Sequence, residues 1–233
     1  MTRPHEVLEA ATVAREVHEL APDYRALLVV ADGLTPGEGT DDELLARAEE
    51  HACSLLAERP VEELPHVAAW RAAYRAFGAK PQRTRNSLEA LTRRAPDGLP
   101  RVNRLTDVYN AVSVLHQVPV GGEDLGRYAG APRLVRATGQ ERFDTAAGGQ
   151  DVVEHPEPGE VVWCDDAGVT CRRWNWRQAR RTQLHEGTGT ALFILDALAP
   201  MTDAALGAAA DDLVEHLSAL GPSVRTWRRL LAP

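Results

Sequence analysis

Residues 99–125, LPRVNRLTDVYNAVSVLHQVPVGGEDL, constrain the fold most, because they set polar side chains into an apolar frame in a way ordinary core helices do not. Asn103, Asp107 and Asn110 recur at intervals of three to four, so on a helix they share one face. Val102, Leu105, Val108 and Val112 fall mostly on other faces and hold that helix against a core. The following Val118-Pro119-Val120-Gly121-Gly122 must be extended and then turned, since proline fixes its φ and paired glycines permit backbone angles closed to other residues. A helix carrying amides and a carboxylate thus runs into a glycine-lined turn, which gives a wall and a floor for a pocket. The competing reading is that Asn103 and Asp107 merely cap or buttress turns.

Two apolar runs flank this stretch at a distance. Residues 25–31, RALLVVA, read as a buried strand, and residues 191–198, ALFILDAL, form a second run with a single carboxylate, Asp196, inside it. Residues 7–20 read as a loosely patterned helix, and Asp41 caps a helix with an apolar stripe that ends before Pro60. Residues 64–77 carry Val67, Trp70, Ala73, Tyr74 and Phe77 at helical spacing and end at Gly78. In residues 80–94 a basic loop leads to a short helix capped by Asn86 or Ser87. Residues 133–137 and 141–144 read as short strands, and residues 148–159 as a loop. Residues 160–164 and 169–174 flank Asp165-Asp166-Ala167-Gly168, a strong hairpin signal. Asp203 caps a closing helix that stops at Gly221-Pro222, and residues 224–231 add a short helical turn. The mixed order predicts one α+β domain over 1–233, with a mainly helical leading segment (1–95), a pocket-forming core (99–200) and a C-terminal helix (203–231).

A net charge of −8 argues against a protein that coats nucleic acid indiscriminately, while leaving room for a local basic patch. No apolar run is long enough for a membrane helix, and the start, MTRPHEVLEA, has no signal-peptide core, so no membrane contact and a cytoplasmic location are expected. Cys53, Cys164 and Cys171 are scattered and are expected to be reduced, packing as small hydrophobes. There is no GxSxG elbow, Walker loop or HExxH, and no cysteine or histidine cluster with metal spacing, so neither a metal nor a cofactor is expected.

Polar density remains in two further places. In residues 172–182, RRWNWRQARRT, five arginines surround Trp174, Asn175 and Trp176. Such interleaving suits a surface that grips phosphates and stacks on a ribose or base, and equally a hairpin with one tryptophan in the core and arginines outside. Asp196 would meet a large desolvation cost if simply buried, so it should find donors or a cation, point into a cavity, or lie at the strand end facing water.

Taken together, these places resemble the B3/B4 editing domain of the beta subunit of phenylalanyl-tRNA synthetase, in its freestanding form. The matching residues are Leu99-Pro100 with Asn103, then TDVYNAVSV, VPVGGEDL, Gly130, Arg136 with Glu141 and Phe143, PGEVVWCDD, CRRWNWRQ with Thr182, and FILDAL, while WRAAYRAFG and SLEALTRR resemble the leading segment of the freestanding proteins. The resemblance implies an α+β fold built on a β-sandwich of unusual topology flanked by helices, and hydrolysis of the ester joining a wrong amino acid to tRNA. The family's pocket asparagine falls on Asn110. Where the synthetase domain has a histidine associated with the attacking water, this chain has Gly121, and the glutamate that meets the hydroxyl of misplaced tyrosine falls on Asp196.

The resemblance implies tRNA as partner and sets no oligomeric state. In it, Asn110, Gly121 and Gly122 are the catalytic group, the glycines offering backbone N–H groups to a developing oxyanion. Asn103, Asp107, Trp174, Asn175, Thr182 and Asp196 contact the substrate, and Arg172, Arg173, Arg177 and Arg180 hold the tRNA end. Aspartate in place of glutamate makes room for a longer polar or cationic side chain, such as that of canavanine, which some freestanding members clear from tRNA. The alternatives are a binding module for tRNA or an aminoacyl group that lacks turnover, and a small-molecule sensor.

Overall fold

The computed structural model describes residues 4–233. In order the chain forms α1 (Pro4–Ala10), β1 (Thr12–Val13), α2 (Arg15–Leu20), β2 (Arg25–Asp32), α3 (Asp42–Glu58), α4 (Pro65–Ala76), α5 (Ser87–Arg94), α6 (Arg104–Leu115), β3 (Val120–Asp124), β4 (Arg133–Arg136), β5 (Phe143–Ala147), β6 (Gln150–Glu154), β7 (Val161–Cys164), β8 (Val169–Arg172), β9 (Arg177–Gln178), β10 (Thr190–Ala197), α7 (Asp203–Ser218) and β11 (Arg225–Leu231). The two apolar runs become β2 and β10, paired antiparallel from Arg25 opposite Ala197 to Asp32 opposite Thr190. They sit at the centre of a sheet ordered β11-β2-β10-β3.

Both faces of that sheet are covered, which is why its central strands are apolar without interruption. Val29, Ala31, Phe193 and Leu195 share a cluster with residues of α3, α6 and α7, while Leu28, Val30, Leu192 and Ile194 pack with Leu134 and Trp163 of a second sheet. The second sheet runs β1-β4-β7-β8-β9, and β5 with β6 form a separate two-stranded ribbon. The architecture is therefore α+β, two facing sheets with helices outside. Each fully buried aliphatic side chain on these faces contributes about 1.5–3 kcal/mol.

Several elements differ from the sequence expectation. The segment 7–20 is broken into α1, β1 and α2, because Thr12 and Val13 pair in parallel with Arg133 and Leu134 of β4. The stretch 148–159 is not all loop: Gln150–Glu154 is β6, the return strand of a ribbon with β5, whose own start is Phe143. Thr202, not Asp203, caps α7. The expected C-terminal helix over 203–231 ends at Ser218, and 225–231 is β11, laid on β2 with Trp227 opposite Val30. Main-chain bonding along β2 overrides the helical propensity of that segment, and its arginines are tied down, Arg225 to Asp32 and Arg228 to Asp211. Val102 precedes α6 and is 58% exposed rather than part of the core. Cys164 and Cys171 are buried, but Cys53 is exposed.

Candidate functional site

β10 and β3 set the first wall of a cavity of about 240 Å3. In their antiparallel register Ile194 stands opposite Gly121, and Leu192 opposite Glu123. Residues two apart on a strand share a face, so Gly121, Glu123, Ile194 and Asp196 all look toward the second sheet. Trp163 of β7 and Cys171 of β8 face them across the cavity, and α5, α6 and the turn 173–176 close the sides.

Asp196 is 2% exposed and accepts hydrogen bonds from the Tyr24 hydroxyl at 2.6 Å and the Asn175 amide at 3.3 Å. Burial pushes its carboxyl up to about 7, against the pull of those donors toward the ionised form. Glu123, also buried, takes a hydrogen bond from the Tyr128 hydroxyl, and burial again pushes it up to about 7. Cys171 is no nucleophile here, since burial drives its thiol well above the usual range.

The turn after β8 places the aromatic wall. Arg173 and Trp174 both have left-handed backbone, with φ of 47° and 68°, a conformation costing side-chain-bearing residues about 1–3 kcal/mol each. Packing holds it: Trp174 is fully buried, edge-on to Trp70 at 5.2 Å and to Tyr24 at 4.9 Å between ring centroids. The Asn175 side chain that follows reaches Asp196 while accepting from the Tyr74 hydroxyl at 2.9 Å.

Toward the opening lie Asn110, Ser87, Trp176, Arg177 and Gln178. Among the described residues no protein group is hydrogen-bonded to the Asn110 side chain, which is 7% exposed and lines the cavity. Ser87 Oγ is likewise buried without a partner. Gln178 Nε2 donates to the Gly122 carbonyl at 2.8 Å and lies 3.4 Å from where a Cβ on Gly121 would stand. Outside, Arg177 lies 6.0 Å from the Trp176 ring centroid, and Arg180 pairs with Asp151 of the ribbon. A shallower depression continues from Trp176, Arg177 and Gln178 along Thr145, Arg180 and Gln183.

The structure thus brings Asn110, Gly121, Trp174, Asn175, Asp196 and Arg177 to one cavity, and separates the other sequence candidates from it. Asn103 caps α6, accepting from Thr106 N at 3.0 Å and donating to the Leu184 carbonyl at 3.2 Å. Asp107 is fully buried and accepts from Val102 N at 3.0 Å, so these two buttress the approach to α6. The shared helical face holds, but only its C-terminal end reaches the cavity. Gly122 faces the opposite side of β3, where a Cβ would meet Tyr109, Leu184 and Phe193 within 2.7–2.9 Å; its lack of a side chain admits α6. Thr182 is fully buried away from the lining.

Arg172, expected on a phosphate-binding surface, is 6% exposed, with its guanidinium held by Glu160 at 2.8 and 2.9 Å and by Glu154 at 2.9 Å. Arg173 bonds Thr84 and lies 3.4 Å from Glu160. Sequence reasoning missed Glu123, Ser87 and Gln178; for Glu123 the signal was its place two residues after Gly121 on one strand. Among the described residues no group of three histidine, cysteine or acidic side chains is placed to hold a metal ion, and no helix is long and apolar enough to cross a membrane.

The family model described as the B3/4 domain matches residues 69–212. Among solved structures the chain is similar to an N-terminal fragment of the phenylalanyl-tRNA synthetase beta subunit from Pyrococcus horikoshii, with a TM-score of 0.47 and 10% sequence identity over 96% of this chain and 54% of that one. The chain spans about half the length of that fragment. No curated protein sequence matches it.

Proposed function

The chain belongs to the B3/4 domain family, and from that premise we propose that it is an aminoacyl-tRNA deacylase, hydrolysing the ester of a mischarged tRNA that carries a polar or cationic amino acid. The observation that supports this most is the convergence of Asn110, Gly121 and Asp196 on one cavity with a single arginine-bearing side. An aminoacyl group enters with its side chain toward Asp196, leaving the ester near Asn110 and the tRNA end along Trp176, Arg177 and Arg180.

An aminoacyl ester is already activated, so positioning of water and of the carbonyl does much of the work without a nucleophilic side chain. Water adds to the carbonyl carbon, the tetrahedral oxyanion collapses, and the ester oxygen leaves as the terminal ribose hydroxyl after taking a proton; the amino acid departs as its carboxylate. The free amide of Asn110 orients the carbonyl and donates to the oxyanion. Gly121 lies in the β3–β10 ladder, so its contribution is an absent side chain that leaves room for the acyl group. The vicinal ribose hydroxyl is the proton relay at hand.

Incubation of the purified protein with a panel of mischarged tRNAs tests the reading: release of amino acid from at least one supports it, and release from none overturns it. Asn110→Ala should slow release by about 10²-fold, the usual loss for one oxyanion donor, while tRNA binding is kept. Glycine where the synthetase domain has histidine favours a second reading, a binding module without turnover. That reading expects salt-sensitive retention of tRNA with no release.

A further inference from the structure

We propose that Glu123 and Asp196 together form a two-carboxyl seat for the cationic end of an amino-acid side chain, with Glu123 as a second specificity-determining residue. The occupant's identity as an aminoacyl group rests on the deacylase reading above. Three observations carry the seat itself.

The first is the absence of any internal counter-charge. Every other buried glutamate has an arginine: Glu89 pairs with Arg71 at 2.7 Å, and Glu160 with Arg172 at 2.8 Å. Buried Asp165 likewise pairs with Arg181 at 2.8 Å. Among the described residues neither Glu123 nor Asp196 makes an ion pair; each is steadied by a tyrosine hydroxyl, Tyr128 on Glu123 and Tyr24 on Asp196. Two buried carboxyls with no cation between them leave a place that a bound cation fills at lower cost than any neutral group.

The second is placement. Both carboxyls line the same cavity, which has room for a side chain. Gly121 lies on the strand between its mouth-side residues and Glu123, and only Gln178 comes within 4 Å of where its Cβ would stand. A side chain there would narrow the way to Glu123. The third is Asn110, more than nine-tenths buried, lining the same space and without a protein partner, which marks the cavity as built for a polar occupant rather than left by loose packing.

A cation should stabilise the ionised form of both acids. The groups facing Asp196 are Tyr24, Asn175, Trp163 and Glu123; those facing Glu123 are Tyr128, Thr170, Asp165 and Arg181. Tyr24 and Tyr128 are held neutral by burial, and Arg181 donates to both oxygens of Asp165, so proton exchange on cation binding falls to the two acids. Cation binding near neutral pH therefore releases protons.

The test uses L-argininamide and its uncharged counterpart L-citrullinamide as probes, titrated calorimetrically into the full chain without tRNA. We expect argininamide to bind at least about ten-fold more tightly, a difference of about 1.4 kcal/mol, and to release protons, read as a dependence of the heat on buffer ionisation enthalpy. Glu123→Gln should cut the preference to below about three-fold and leave citrullinamide unchanged. Gly121→Val should weaken argininamide with the fold intact by circular dichroism. Equal binding of the two amides, no argininamide binding at about 10 mM, or no proton release overturns the seat, and the proton measurement on the wild type decides even if Glu123→Gln does not fold. Charge-selective binding with no tRNA hydrolysis leaves the seat and removes the deacylase reading; hydrolysis without charge selectivity does the reverse.

Discussion

Asp196 and Gly122 show how differently single residues declare themselves. A lone carboxylate in ALFILDAL demands a partner or a cavity, and the structure supplies both. Asp196→Asn keeps the Tyr24 contact but removes the charge, so it should change which aminoacyl-tRNA is hydrolysed by about ten-fold or more while tRNA affinity stays within about two-fold; equal loss on every substrate in a deacylation panel would exclude the specificity role. The two glycines look alike in the sequence and are not alike in space. Gly122→Ala drives a methyl into Tyr109, Leu184 and Phe193 and should cost about 1–3 kcal/mol in chemical denaturation. Gly121→Ala meets only Gln178 at 3.4 Å and should change stability by less than about 1 kcal/mol while encroaching on the cavity. Glu123 stayed hidden because VGGED reads as a strand tail; only its register against Leu192 reveals which way it faces.

At the scale of elements, the turn between β8 and β9 is the piece on which the site's walls depend. Its left-handed residues are held by Glu160, which accepts from Arg172 and from the Arg173 backbone N–H at 3.2 Å. Glu160→Gln leaves a buried arginine with half its partner and should destabilise the fold by about 3–5 kcal/mol, read from urea midpoints, with the cavity loosened as a consequence. The arginine-tryptophan alternation was open to two readings in the sequence, and the structure divides it: Arg172 and Trp174 go inside, Arg177 and Arg180 remain outside. Composition alone could not make that division, because it depends on Glu160 and Glu154 arriving from other strands. β11 was misread for a similar reason: the segment's own pattern is weak, and the edge of β2 decides its conformation.

For the whole molecule, the two acids of the cavity shape the pH dependence of stability. A carboxyl whose folded pKa is raised binds more protons in the native state, so its contribution is full below the unfolded pKa and is lost as pH rises through the folded one. For Asp196 and Glu123 that window runs from about 4 to about 7. Asp32, held below its usual range by the Thr190 hydroxyl, and Glu49, held low by Arg101, work the other way, losing stability as pH falls. Thermal melts of the unliganded protein should therefore peak near about pH 5 and decline toward pH 8. The double variant Asp196→Asn with Glu123→Gln should flatten that decline, and an unchanged slope would show that neither carboxyl is responsible.

The sequence by itself determined the two buried central strands, the caps at Asp41, Asn86 and Asn103, the β7–β8 hairpin and the importance of Asn110 and Asp196, because periodicity, capping chemistry and the cost of a lone buried charge act over a few residues. Only the tertiary structure decided which sides Gly121 and Gly122 face, which arginines are internal, that 225–231 is a strand, and that Glu123 joins Asp196. Each of those depends on what a distant segment presents across a sheet or a cavity, and side-chain pattern along one segment carries no record of its neighbour.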